Sequence, residues 1–169
     1  MQILFSKAVL TLCLLGIFSC SSSAPNQLQP AKNDNMGKNK IEWAVLDKGT
    51  QCALEQPRQA VVKTAQEFDK IWAETFMGVD MAPKKPAVDF SKDWVILAGL
   101  GMINKGGHQI DIADVSEANG VTTIALKHRQ PKQGCMSTMS IEFPYIFARV
   151  SQFAGTPKFT TTDEEYSCE

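Results

Sequence analysis

Trp94-Val-Ile-Leu-Ala-Gly-Leu100, Asn104-Lys-Gly-Gly107, Gln109-Ile-Asp-Ile112 and Asn119-Gly-Val-Thr-Thr-Ile-Ala-Leu-Lys127 follow one another in the middle of the chain and decide its fold. The first is a nearly unbroken apolar run, the pattern of a strand covered on both faces. After the glycine turn, Ile110 and Ile112 alternate with Gln109 and Asp111, as in a strand with one wet face. Asn119-Gly120 is a strong two-residue hairpin signal and leads into a strand over Val121 to Lys127. From Val88 onward such signals recur at roughly 8 to 12-residue spacing, as expected of an antiparallel β domain. The last strands are expected over Met136 to Phe143, Tyr145 to Val150 and Lys158 to Thr162. The fold class is therefore mostly β with one short helix, either an antiparallel β-sandwich or a barrel-like domain.

Upstream, Ile41-Glu-Trp-Ala-Val-Leu46 and Gln59-Ala-Val-Val-Lys-Thr64 read as strands separated by a turn-rich stretch with Cys52 and Pro57. The period then changes. Thr64-Ala-Gln-Glu67 has capping-box spacing, and Phe68, Ile71, Trp72 and Phe76 share one helical face, which predicts a helix over residues 65 to 76. That aromatic stripe is read as core packing rather than a ligand box. Pro83 and Pro86 stop any continuation. Residues 41–169 suffice for one hydrophobic core and are too few for two, so a single domain is expected.

The first forty residues read differently. Lys7 precedes an apolar run from Ala8 to Phe18, then Ser19-Cys20, then the polar stretch SSSAPNQLQPAKNDNMGKNK. The run is shorter than the roughly 20 residues that span a bilayer. Ile17 does not suit ordinary signal peptidase, whereas an aliphatic residue, a small one and a cysteine in that order resemble the bacterial lipobox. The resemblance implies removal of residues 1–19 and acylation of Cys20, palmitate included, with anchoring through the lipid. Residues 20–40 are expected to be the lipidated cysteine and a flexible tether, too polar to offset the entropy of ordering. An envelope location follows. Ser21 lacks the acidic character that marks inner-membrane retention, which favours the outer membrane; periplasmic and surface exposure both stay open. The chain beyond residue 19 carries 16 basic and 18 acidic residues with no basic stripe, which argues against nucleic acid as a partner.

Val88-Asp-Phe-Ser-Lys-Asp-Trp-Val-Ile96, Leu100-Gly101, Gly106-Gly107, Ile110-Asp-Ile112, Pro131 to Cys135 and Pro144-Tyr145 occur in that order. In sequence and spacing they resemble the C-terminal domain of the protease complex subunit PrcB family, over roughly Val61 to Val150 and including the Phe68 to Trp72 helix. That family usually has an aromatic residue after the glycine pair, where this chain has His108. The resemblance implies association with, or stabilisation of, an extracytoplasmic protease or another secreted complex. It also implies a disulfide between Cys135 and Cys168; Cys52 with Cys168 is the alternative, and the remaining thiol is expected to be buried and inert. A Cys135–Cys168 bridge would close a loop of about 30 residues and contribute a few kcal/mol.

Most of these residues explain shape first: glycine for a tight turn, Asp89 and Ser91 for local backbone hydrogen bonds, Pro144 for a bend. Loops on rigid β scaffolds also dock partners, so Gly106, Gly107 and His108 at a hairpin tip and Pro144 and Tyr145 at an exposed edge are the candidate partner-binding residues. His108 and His128 lack ligand-spaced companions, so no metal is expected. Gly99 to Gly106 lacks the Gly-Lys-Ser/Thr order of a phosphate loop, and no serine sits in a nucleophile elbow. Asp111, Asp114 and Glu117 read as a solvated strand edge. No cofactor and no catalysis are expected. The reading is a lipid-anchored, non-catalytic binding module with a protein partner, with a proteinase-inhibitor-like sandwich or a structural envelope lipoprotein as alternatives; a hydrolase would need a convergent histidine site.

Overall fold

The structure, a computed structural model, describes residues 37–167. The expected signal segment, Cys20 and most of the expected tether lie outside the described residues, as does Cys168. Eight strands and one helix follow in the order β1 (Asn39–Lys40), β2 (Trp43–Gly49), β3 (Arg58–Val62), α1 (Ala65–Thr75), β4 (Asp93–Gly99), β5 (Gln109–Ala118), β6 (Val121–Pro131), β7 (Tyr145–Ser151) and β8 (Thr156–Tyr166). They make two four-stranded sheets, β2-β7-β4-β3 and β1-β5-β6-β8. Each sheet keeps its own edges, so the domain is a sandwich and the barrel-like alternative is not adopted.

The helix starts where its cap requires. Thr64 is extended at φ −134°, and its Oγ1 accepts the Glu67 N–H at 3.2 Å. The Glu67 carboxylate turns back to the Lys63 N–H at 3.1 Å. Phe68, Ile71 and Trp72 then face the first sheet, where they meet Val95 and Leu97 of β4 and Tyr145 and Phe147 of β7. Trp72 and Phe147 lie 4.9 Å apart between ring centroids, and Phe76 meets Tyr145 edge-on at 5.3 Å. The aromatic stripe is thus core.

Residues alternate sides along a strand, so Ile96 and Ala98 of β4 and Ile146, Ala148 and Val150 of β7 point the other way. There they pack on Ile110, Ile112 and Val115 of β5 and Ile124 and Leu126 of β6. This accounts for the unbroken apolar run of β4: the helix covers one face of its sheet and the second sheet covers the other. The β5–β6 turn forms as expected, with Asn119 at φ 52° and Gly120 at φ 74°. One bulge interrupts that hairpin between Ile112 and Asp114.

Four expectations need correction. The sheets are not wholly antiparallel, because β8 runs parallel to β6 from Val121↔Thr156 to Pro131↔Tyr166. After β7 the chain needs only Gln152 to Gly155 to cross to the other sheet, where Thr156 N–H bonds Gly120 O at 2.8 Å. Entering beside the start of β6, it must run in the same direction. Glu117, read as solvated, accepts the Gly155 N–H at 3.0 Å and helps to fix that crossing. Second, β8 is eleven residues long rather than five. Third, Met136 to Phe143 is no strand: it carries a single bridge, Ile103↔Glu142, and Met136, Met139 and Ile141 face outward while Phe143 packs against the core. Fourth, Asn39 and Lys40, expected within the tether, pair with Glu117 and Ser116. Among the described residues no helix is long and apolar enough to cross a membrane.

Phe147 is fully buried where helix and sheet meet. Phe147→Ala should cost about 3–5 kcal/mol in urea denaturation, whereas Val45→Ala, at a half-exposed position, should cost well under about 1 kcal/mol.

Candidate functional site

The glycine pair between β4 and β5 is a socket rather than a free tip. Gly106 is buried, and its N–H bonds Thr138 O at 2.9 Å. A β-carbon at Gly106 would collide with Thr138 Oγ1 and stand 2.9 Å from Ser140 Oγ. Gly107 has φ +94°, and a β-carbon there would meet the Tyr166 hydroxyl at 2.7 Å. That hydroxyl donates to Gly107 O at 2.9 Å. The Glu142 carboxylate accepts the N–H groups of Gly107 and His108 at 3.1 and 3.3 Å through one oxygen. The other oxygen takes the Ser140 hydroxyl at 3.5 Å. The turn therefore fastens the 132–143 loop to the sandwich.

His108 continues this cluster. Its Nδ1 lies 2.9 Å from His128 Nε2, and His128 Nδ1 lies 2.8 Å from Asp163 Oδ1. An ionised carboxylate only accepts, so His128 Nδ1 carries the proton. In the neutral pair, His108 Nδ1–H then donates to His128 Nε2. The two rings stack at 5.2 Å with 28° between their planes, a ring contact at the position where the resembled family usually has an aromatic residue. Twenty residues apart in sequence, the two histidines meet because the hairpin register places Ile110 opposite His128. Both nitrogens of His128 are engaged, and among the described residues neither imidazole hydrogen-bonds a hydroxyl. Burial, then the charge of His128, lowers the pKa of His108, with Lys105 acting the same way and Glu142 opposing. Among the described residues no group of His, Cys, Asp or Glu is arranged to hold a metal ion.

Pro144 and Tyr145, expected at an exposed edge, are buried at the start of β7, an inner strand flanked by β2 and β4. Pro144 O accepts the Leu100 N–H at 2.9 Å. The Tyr145 hydroxyl donates to Asp47 at 2.7 Å, and burial together with that carboxylate pushes its pKa far above the usual phenol range. Their place in the fold is structural. Cys52 is a free, buried thiol that donates to Phe143 O at 3.3 Å, so the alternative Cys52–Cys168 bridge is not adopted. Burial pushes this thiol upward in pKa, away from the reactive thiolate. Cys135 Sγ lies 3.9 Å from Tyr166 O, and the expected pairing involves Cys168, outside the described residues.

What the socket presents was not read from sequence. Met136 and Met139 are 98% and 102% exposed, and Ile141 is 62% exposed. Ile141 and Phe143 join Val79 and Met81 in lining an open groove of about 460 Å³. The signal was available as large apolar residues in a Ser/Thr-rich segment, but an apolar residue is most simply assigned to a strand with a core face.

The site is thus an apolar loop fastened to a β-sandwich. Residues 94–151, from β4 through β7, match the family model described as PrcB C-terminal. The span contains the glycine socket, His108, His128, the exposed loop and Pro144-Tyr145. No curated protein and no solved structure matches the chain.

Two outcomes follow from this geometry. Gly106→Ala should release the loop, seen as faster cleavage between residues 132 and 143 by an added protease. For His108 the lowered folded pKa means that the unfolded chain binds more protons below the ordinary value of 6.5. Its stabilising contribution is therefore complete above that value and is lost as pH falls toward the lowered one. The urea midpoint should drop between about pH 7 and about pH 5, and His108→Gln should flatten that drop.

Proposed function

We propose that this protein is an envelope-anchored lipoprotein whose sandwich is a non-catalytic binding module, associating with or stabilising an extracytoplasmic protease or another secreted complex. The observation that carries this reading is the PrcB C-terminal match over residues 94–151. Lipidation at Cys20 and an outer-membrane location rest on the sequence around Ser19-Cys20-Ser21. The non-catalytic reading is supported by the pairing of His108 with His128 and of His128 with Asp163, in which, among the described residues, neither imidazole hydrogen-bonds a serine, threonine or tyrosine hydroxyl. We further assign Cys135 to a bridge with Cys168, two residues beyond the Tyr166 carbonyl that its sulfur approaches.

Pull-down of the detergent-solubilised protein from its native host, with mass spectrometry and a Cys20→Ala control, tests the reading. Recovery of an extracytoplasmic protease with the lipidated form is expected, together with longer-lived protease activity when the two are co-incubated. Lowered turnover would instead mark an inhibitor, and no stable partner would leave a structural envelope protein. For the cysteines, thiol titration of Cys20→Ala lacking residues 1–19 should find one group, Cys52, reacting only after denaturation.

A further inference from the structure

We propose that the loop from Cys135 to Ile141 is the docking element of this domain, and that Met136, Met139 and Ile141 enter an apolar cleft on the partner protease. This rests on the protease-partner reading given above. Met136 and Met139 are the most exposed large apolar residues described, and they fall with Ile141 within six positions. Two fully exposed methionines beside a largely exposed isoleucine have no stabilising role in the isolated domain.

The loop is held ready for contact. Thr138 O is tied to Gly106 N–H at 2.9 Å, Thr138 Oγ1 to Ser140 Oγ at 3.0 Å, and Ser140 to the Glu142 carboxylate that caps the glycine turn. At its start, the Lys132 N–H bonds Tyr166 O at 3.0 Å. Met139 thus projects between two fastened neighbours, so little backbone freedom remains to be lost on binding.

Composition identifies the occupant. From Gln133 to Ile141 there is no charged residue and no aromatic one. A segment built to lie in a bilayer interface uses aromatic rings and lysine or arginine. Interface cores between proteins exclude charge and favour methionine, whose flexible thioether adapts to an irregular cleft. Val79 and Met81, beside Ile141 in the open groove, extend the same surface.

The test uses the full lipidated chain in its host, with a photo-crosslinking amino acid at position 139 and, as a control, at position 158 on the exposed strand β8. A triple variant, Met136→Ser with Met139→Ser and Ile141→Ser, is compared by pull-down. The expected result is an identified extracytoplasmic protease crosslinked from 139 and not from 158, and at least about tenfold less of it recovered with the triple variant. Met139→Lys alone, at a fully exposed position, should give the same loss with an unchanged urea midpoint and guards against misfolding of the triple variant. If the wild type holds a protease and these variants hold it equally well, the loop assignment is wrong and the proposed function stands. If the wild type holds another secreted protein and no protease, the protease cleft is overturned and the proposed function stands; if it holds neither, the proposed function fails and the loop assignment falls with it. Crosslinking from 139 to lipid alone overturns the assignment in favour of the bilayer.

Discussion

Two neighbouring strands, β4 and β7, are buried on both faces, and the rest of the domain is arranged to keep them so. Val95 and Leu97 with Phe147 need an apolar cover on one side, and Ile96, Ala98, Ile146 and Ala148 need one on the other. A single helix supplies the first cover through Phe68, Ile71 and Trp72. The β5–β6 hairpin supplies the second through Ile110, Ile112, Val115, Ile124 and Leu126. Burying a large apolar side chain is worth roughly 1.5–3 kcal/mol, so losing either layer would expose more than the remaining contacts could offset. This constraint also explains why Tyr145 is no docking residue: it belongs to the strand that must stay covered, and its hydroxyl is satisfied internally by Asp47.

Much of this frame was legible because it rests on local rules. The Asn119-Gly120 turn, the Thr64 cap and the unbroken run from Trp94 each depend on residues close together in the chain. The direction of β8 was not legible, because Lys158-Phe-Thr-Thr-Thr-Asp-Glu-Glu-Tyr166 carries almost no apolar alternation and takes its place from the connection before it. Met136 to Phe143 was misread for the complementary reason. Its apolar residues imply burial, yet backbone and hydroxyl hydrogen bonds hold the segment while Met136, Met139 and Ile141 face outward and only Phe143 meets the core.

The site was legible only in part. Gly106 and Gly107 were read as glycines for a tight turn; Gly107 does take φ +94° and faces the Tyr166 hydroxyl, whereas at Gly106 it is the packed Thr138 and Ser140 that leave no room for a side chain. The approach of His108 to His128 could have been counted from the hairpin turn. Residues on the two strands face each other at equal distances from Asn119-Gly120, and with the bulge at Ile112/Asp114 shifting the count by one, Ile110 stands opposite His128 and His108 lies diagonal to it. The role of Glu142 could not have been counted, since a carboxylate in a polar segment gives no sign of which backbone N–H groups it will accept.

The parallel pairing of β6 with β8 bears on how the domain comes together in time. Every residue of β6 meets one about 35 places further along the chain. The β5–β6 hairpin closes through a two-residue turn, and α1 needs only its own neighbours to begin winding, so both can assemble from short segments. The second sheet cannot be completed until β8, the last of the eight strands, is free to zip alongside β6. Until then the long edge of β6 stays open to any passing extended chain. For a chain that emerges from its N-terminus onward in an extended state, that interval lasts until Tyr166 has appeared, and it is the period in which a chaperone has most to protect.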